Sequence, residues 1–255
     1  METNNVKLEN RRVLPRFLIT LLGAAILGGV AGGLLSSGQA KLLAGGVQAA
    51  VNQVMTAITP WGILISGVIL LGTAFGFYRS ARKIYRRWDG EDEAAAGAAE
   101  EKLSYVLLLS SVEMVIGFFF LSASNLYAGG DPMGILLVVA EFIAAAVAIV
   151  VLQQWTVDLT KTMNPEKRGS VYDLKFQRKW LESCDEAQRG RVFEASYHAF
   201  RAVNRTCVAL WLALILLGFL FDFGLMPSFM VLVIFGVSQV SYTLAAIRMG
   251  KHKRG

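Results

Sequence analysis

The sequence predicts an all-α polytopic membrane protein with six transmembrane helices arranged as three hairpins. Three observations carry that reading. Hydrophobic residues are 55% of the 255-residue chain, its mean hydropathy is +0.50, and its 25 glycines follow no collagen-like period. That composition suits closely packed membrane helices. Six apolar runs, near 17–35, 61–78, 104–127, 133–155, 206–223 and 229–247, approach the ~20 residues that cross a hydrocarbon core. With six crossings, every Lys and Arg of the 25 except Lys41 falls on one side, so the positive-inside rule places both termini and both long polar stretches in the cytoplasm.

The first run follows Lys7, Arg11, Arg12 and Arg16. Gly38-Gln39-Ala40 loosely resembles a signal-peptidase site, but the run is longer than a usual signal core, and an uncleaved anchor is expected. Gly28/Gly32 and Gly29/Gly33 form overlapping GxxxG patterns suited to a closely packed neighbour, within this bundle rather than in a homodimer. Residues 39–59 carry Leu43, Val47, Val51, Val54 and Ile58 at helical spacing with Gln48, Asn52, Gln53 and Thr56 elsewhere, the pattern of an external amphipathic helix at the interface. Pro60-Trp61 opens the second span, with Trp61 as an interfacial anchor.

Residues 79–103 read as a charged cytoplasmic loop. A basic block (Arg79, Arg82, Lys83, Arg86, Arg87) precedes an acidic one (Asp89, Glu91, Asp92, Glu93), and the Ala-rich stretch 93–99 reads as either helical or disordered. The central hairpin turns at Ala128-Gly129-Gly130-Asp131-Pro132. A cytoplasmic helical segment follows at 156–205. There Ser170 with Asp173 predicts a capped helix over 171–181, and Ser183 with Glu186 predicts a capping box for a second helix carrying Phe193, Tyr197 and Phe200. Gly190 weighs against that helix continuing into the fifth span. A turn at 224–228 leads to the sixth, and Arg248, Lys251, Lys253 and Arg254 close the chain.

No catalytic signature appears, so a non-enzymatic protein with no catalytic residue and no cofactor is expected. His198 and His252 are the only histidines, which excludes HExxH and multi-histidine metal sites, and no GxSxG, Walker A or GxGxxG pattern occurs. His198 reads as a packing or interfacial residue. Cys184 and Cys207 make no disulfide framework, and Cys184 is expected to be open to thiol reagents from the cytoplasm. The net charge of +6 fits an anionic membrane surface, and nothing calls for nucleic acid. The expected partners are the lipid bilayer and an unidentified cytoplasmic protein. Tyr172, Phe176, Trp180, Phe193 and Tyr197 form the candidate contact set, with packing against one another an equal reading.

Two acids, Glu113 and Glu141, lie deep in the central runs, where a carboxylate is disfavoured by roughly 2.5–3.5 kcal/mol. Ser110, Glu113, Gly117 and Ser124 share one helical stripe, and Gly134, Glu141, Ala145 and Ala148 another. Rise per residue puts both acids near mid-membrane within about 5 Å in height. Facing each other in low dielectric, they would share one proton. Hydrogen bonding between helices explains them without transport. A small permease or membrane subunit of an export system that uses them is the alternative. Asp222 reads as interfacial, and Gln239, with Ser238 and Ser241, as an interhelical hydrogen-bonding group.

Asn164-Pro165-Glu166-Lys167, Lys175-Phe176-Gln177 and Lys179-Trp180-Leu181-Glu182-Ser183-Cys184-Asp185-Glu186 resemble the signature of an uncharacterised bacterial family, a domain of unknown function, of multi-pass membrane proteins. The likeness centres on residues 164–187. It implies a bacterial cytoplasmic membrane and brings no activity, substrate or site residue.

Overall fold

The computed structural model describes residues 2–127 and 131–252, and the side chains of these apart from 2–13, 17, 246 and 249–252. Among them there is no strand. The elements are α1 (Glu2–Leu35), α2 (Gly38–Ile58), a 3₁₀ turn (Thr59–Trp61), α3 (Gly62–Tyr85), α4 (Glu93–Tyr127), α5 (Pro132–Met163), α6 (Phe176–Glu182), α7 (Glu186–Leu217) and α8 (Met226–His252). Six helical stretches are long and apolar enough to cross a membrane: Leu14–Leu35, Gly38–Tyr85, Glu93–Tyr127, Pro132–Met163, Glu186–Leu217 and Met226–Ala245. Ala128-Gly129-Gly130 of the expected hairpin link lie outside the described residues.

Several helices run well past the predicted spans. The Ala-rich stretch of 93–99 is the first part of α4, and its start is capped by Asp92 Oδ1, which accepts from the Ala94 and Ala95 N–H groups at 2.9 and 3.1 Å. Small side chains make this extension useful. Ala99 packs with Ala81, Leu103, Leu159 and Met163 in a buried cluster flanked by Ala96 and Tyr85. The polar connector thereby contracts to a turn in which Asp89 Oδ1 accepts from the N–H groups of Glu91 and Asp92 and the Trp88 indole donates to the Asp92 carbonyl. Gly90, at φ +93, occupies a conformation there that side-chain-bearing residues avoid.

α5 begins at the Asp131 N-cap, whose carboxylate accepts from Met133 and Gly134, with Pro132 suited to the first helical position. α6 starts at Phe176, later than predicted. Ser170 and Asp173 are drawn into turns: Ser170 Oγ accepts from Tyr172 N–H, and Asp173 Oδ1 accepts from Lys175 N–H. The capping box of α7 is also displaced. Asp185 Oδ1 accepts from Gln188 N–H while Gln188 Oε1 accepts from Asp185 N–H, and Ser183 is occupied elsewhere. α7 runs through Gly190 without a break, tolerating the roughly 1 kcal/mol that a mid-helix glycine costs relative to alanine.

The chain divides into two compact units, one of Ala50–Val192 and one drawn from Met1–Ala49 and Phe193–Gly255. The first is built on α3, α4 and α5, which pack along heptad seams. On α4 the inward residues are Ala99, Leu103, Val106, Ser110, Glu113, Gly117 and Ser124, all buried, with Phe120 half-buried between the last two. On α5 they are Val138, Phe142, Ala145, Ile149, Leu152, Thr156, Leu159 and Met163. Spacings alternating between three and four keep one stripe facing its neighbours over the whole helix, the pattern of left-handed supercoiling. Ala148 of the expected α5 stripe is exposed because the seam passes through Phe142 and Ile149, one residue from Glu141 and Ala148. At the upper end α3 approaches α4 so closely that a Cβ on Gly62 would fall within the Phe120 ring.

In the other unit, Gly32 supports close packing: a Cβ there would lie 3.3 Å from the Phe219 ring, whereas Gly28, Gly29 and Gly33 face open space. Phe200 stacks on Tyr242 at 4.6 Å. Of the expected group of Ser238, Gln239 and Ser241, Ser238 bonds across to α7: its hydroxyl donates to Asn204 Oδ1 at 3.2 Å.

Candidate functional site

The buried polar centre of Ala50–Val192 is assembled from three helices. Glu113 occupies a seam position of α4, so its side chain is directed into the bundle, where it is fully buried. Its Oε1 accepts from the Ser66 hydroxyl of α3 at 3.1 Å, and the absence of a side chain at Gly67 leaves room for the carboxyl, since a Cβ there would sit 3.4 Å from Oε1. One turn along α4, the buried Ser110 hydroxyl accepts from Gln153 Nε2 of α5 at 3.1 Å.

Glu141 is half-buried on α5 and meets the start of α3, where the Leu64 N–H is directed at its carboxyl. The N-cap residue Trp61 offers that end of α3 no side-chain cap. Both acids thus converge on α3 at Leu64 and at Ser66–Gly67, positions about 3–5 Å apart along its axis.

No hydrogen bond joins Glu113 to Glu141. Each keeps one buried oxygen, Oε2, without a hydrogen-bond partner. Each orphaned carboxyl oxygen can accept from a proton or another donor. Among the described residues no three His, Cys, Asp or Glu side chains come together as a metal site.

The five aromatic candidates divide. Phe176 and Trp180 are half-buried, their ring centroids lie 5.6 Å apart, and Phe176 covers Gly169, whose φ is +121. Tyr172, Phe193 and Tyr197 are exposed, as is Leu174. Arg201 lies over the Tyr197 ring at 5.7 Å, and His198 is exposed rather than packed, 4.0 Å from Glu194.

Two buried groups that hold the 164–188 segment together escape sequence reasoning. Lys167 is buried, lies 5.8 Å over the Trp180 ring, and donates to Cys184 Sγ at 3.3 Å and to Gln188 Oε1. Cys184 is therefore enclosed, contrary to the expected accessibility. Gln154, buried on α5, donates to Asp158 Oδ1 at 2.8 Å and accepts at Oε1 from Ser170 Oγ and Val171 N–H. The presence of Lys167 and Cys184 within the signature segment was the available clue. Gln154 gave none.

Two aspartates outside the helical spans, Asp89 and Asp173, are stabilised as anions. The Asp89 carboxyl is held below its ordinary range by the Glu91 and Asp92 N–H groups. Asp173 is held below it by Lys179 and then by the Lys175 N–H.

No curated protein and no solved structure matches the chain. One family model does, described as "Protein of unknown function (DUF3169)", over residues 11–246. That range takes in all six apolar stretches, the three-helix polar centre and the 164–187 segment, and the chain belongs to the DUF3169 family.

Proposed function

We propose that this chain is a non-enzymatic integral protein of the bacterial cytoplasmic membrane, with both termini cytoplasmic. Its α3–α4–α5 unit would carry a proton-binding carboxyl site for a small permease or the membrane subunit of an export system. The observation supporting this is the pair of buried, unpartnered Oε2 atoms of Glu113 and Glu141 around the start of one helix. Buried polar atoms are nearly always satisfied in native structures, so an unsatisfied pair among apolar helices points to an exchangeable partner. α2 fits the outer interface, with Leu43, Val47, Val51, Val54 and Ile58 all exposed for lipid.

The test is flux in liposomes holding purified full-length chain and a trapped pH dye. Glu141→Gln and Glu113→Gln should each abolish proton-linked flux at unchanged folded yield. Flux that survives in both variants removes the reading. Topology is tested at Glu91→Cys, in the exposed turn between α3 and α4, which an impermeant thiol reagent should reach only from the cytoplasmic side.

A second reading rests on the exposed Tyr172, Leu174, Phe193 and Tyr197, which suit contact of the cytoplasmic segment with a protein partner or the inner leaflet. Tyr172→Ala with Leu174→Ala should then release whatever protein copurifies with the detergent-solubilised chain. An unchanged set of copurifying proteins would count against it.

A further inference from the structure

A groove of about 700 Å³ opens between the Arg-rich end of α3 and the facing end of α5. Arg79, Arg82 and Arg86 line one wall, and their spacing of three and four places them on one face of α3. All three are exposed, and among the described residues none makes an ion pair. Asp158 is the acidic residue of the lining, and its Oδ1 already accepts from Gln154, so the groove holds a net positive charge. Basic groups of α6 differ: Lys179 pairs with Asp173 and Arg178 with Glu182.

Beside the arginines the lining is aromatic, from Phe75 and Tyr78 of α3 and Trp155 of the facing α5. Trp155 lies 6.4 Å from Phe75 and 5.8 Å from Tyr78, centroid to centroid, and Phe75 and Trp155 remain exposed to the surroundings of the bundle. Such rings mark the boundary of the hydrocarbon. Counting along α3 from Tyr78, Arg79 and Arg82 lie about 1.5 and 6 Å beyond it, within the roughly 5–7 Å that headgroups occupy on each side of the core. Guanidiniums pair with phosphate oxygens in bidentate fashion, while apolar rings at the same opening suit an acyl chain.

We infer that this groove binds the phosphate headgroup of an anionic phospholipid, with its acyl chain against Phe75 and Trp155. Charge complementarity selects the phosphate, and the exposed aromatic rings beside the arginines select a lipid over a soluble phosphate. This site is separate from Glu113 and Glu141 and does not depend on the transport reading.

The experiment compares full-length protein exchanged into mixed micelles with phosphatidylglycerol or phosphatidylcholine, with retained lipid counted by native mass spectrometry after detergent washing. Phosphatidylglycerol should be retained preferentially. Arg79→Gln with Arg82→Gln should lower its retention about 25-fold, taking a factor of about five per basic residue at an anionic surface. Lys83→Gln with Arg87→Gln, the same charge change outside the groove lining, should leave retention within about twofold. Equal loss in both double variants, or equal retention of phosphatidylcholine, overturns the site. Displacement of the lipid by millimolar inorganic phosphate or glycerol phosphate overturns the lipid assignment in favour of a soluble phosphate.

Discussion

The Ser66 hydroxyl donates to Glu113 Oε1 at 3.1 Å, tying α3 to α4 across 47 residues of sequence. The bond leaves Glu113 Oε2 unpartnered, so the contact anchors the carboxyl without saturating it. Ser66→Ala should destabilise the detergent-solubilised chain by about 1–3 kcal/mol, because it orphans a buried acceptor. Once Glu113 is Gln or Met, the same substitution should have a smaller effect. Thermal unfolding of the four proteins in the double-mutant cycle measures the coupling.

Gly62 should be among the least tolerant positions of Ala50–Val192. Since its Cβ would enter the Phe120 ring, Gly62→Ala should cost about 1–3 kcal/mol through forced separation of α3 and α4. Phe120→Leu should recover part of the loss. Gly28→Ala, facing open space, should stay within about 0.5 kcal/mol. Unfolding midpoints in one detergent rank the variants.

Gln154 secures the chain after α5 from a distance. Gln154→Leu removes the acceptor of Ser170 Oγ and Val171 N–H and the donor to Asp158. The 168–175 segment should then be cut by protease several-fold faster while α5 stays intact, read by mass spectrometry of the fragments.

Cys184 should resist thiol reagents in the native chain because it is buried beneath Lys167 and Trp180. Lys167→Ala should raise its modification rate by about tenfold or more, with burial rather than membrane side setting the rate. Equal rates in the two proteins would show that Lys167 does not cover the thiol.

Acid should loosen the turn before α6. The Asp173 carboxyl lies below its ordinary 3.8 because Lys179 and then the Lys175 N–H stabilise the anion, with burial acting weakly the other way. A lowered folded-state value contributes stability that is complete above the unfolded value and is lost as pH falls through the folded one. Hydrogen exchange at the Lys175 amide should therefore keep its protection down to about pH 4, beyond the intrinsic pH dependence of exchange, and lose it below. Asp173→Asn should abolish that transition.

The helical stretches and the inward face of α4 were legible because both follow from periodicity. Ser110, Glu113, Gly117 and Ser124 recur at intervals of three, four and seven residues, and all four are buried. The α5 stripe was drawn through Glu141 and Ala148, one residue from the true seam, because runs of alanine and valine carry little phase information. Helix ends were missed where tertiary contact decided them: Ala96 and Ala99 are helical because Ala81 and Leu159 lie against that face. Ser170 and Asp173 look like a cap in sequence but are claimed by Gln154 and Lys175 in space. The acids were found by their chemistry alone, and their meeting point on α3 required the fold.

α4 is 35 residues long, about 52 Å, against a hydrocarbon thickness of about 30 Å. One unbroken rod therefore carries Glu113 at its buried level and Glu100, which accepts from Asn164 Nδ2 at 3.0 Å, near its polar end. The buried acid and the exposed bond to the 164–187 segment therefore share one continuous helix. The contact with Asn164 joins the polar end of that rod to the first residue of the signature segment.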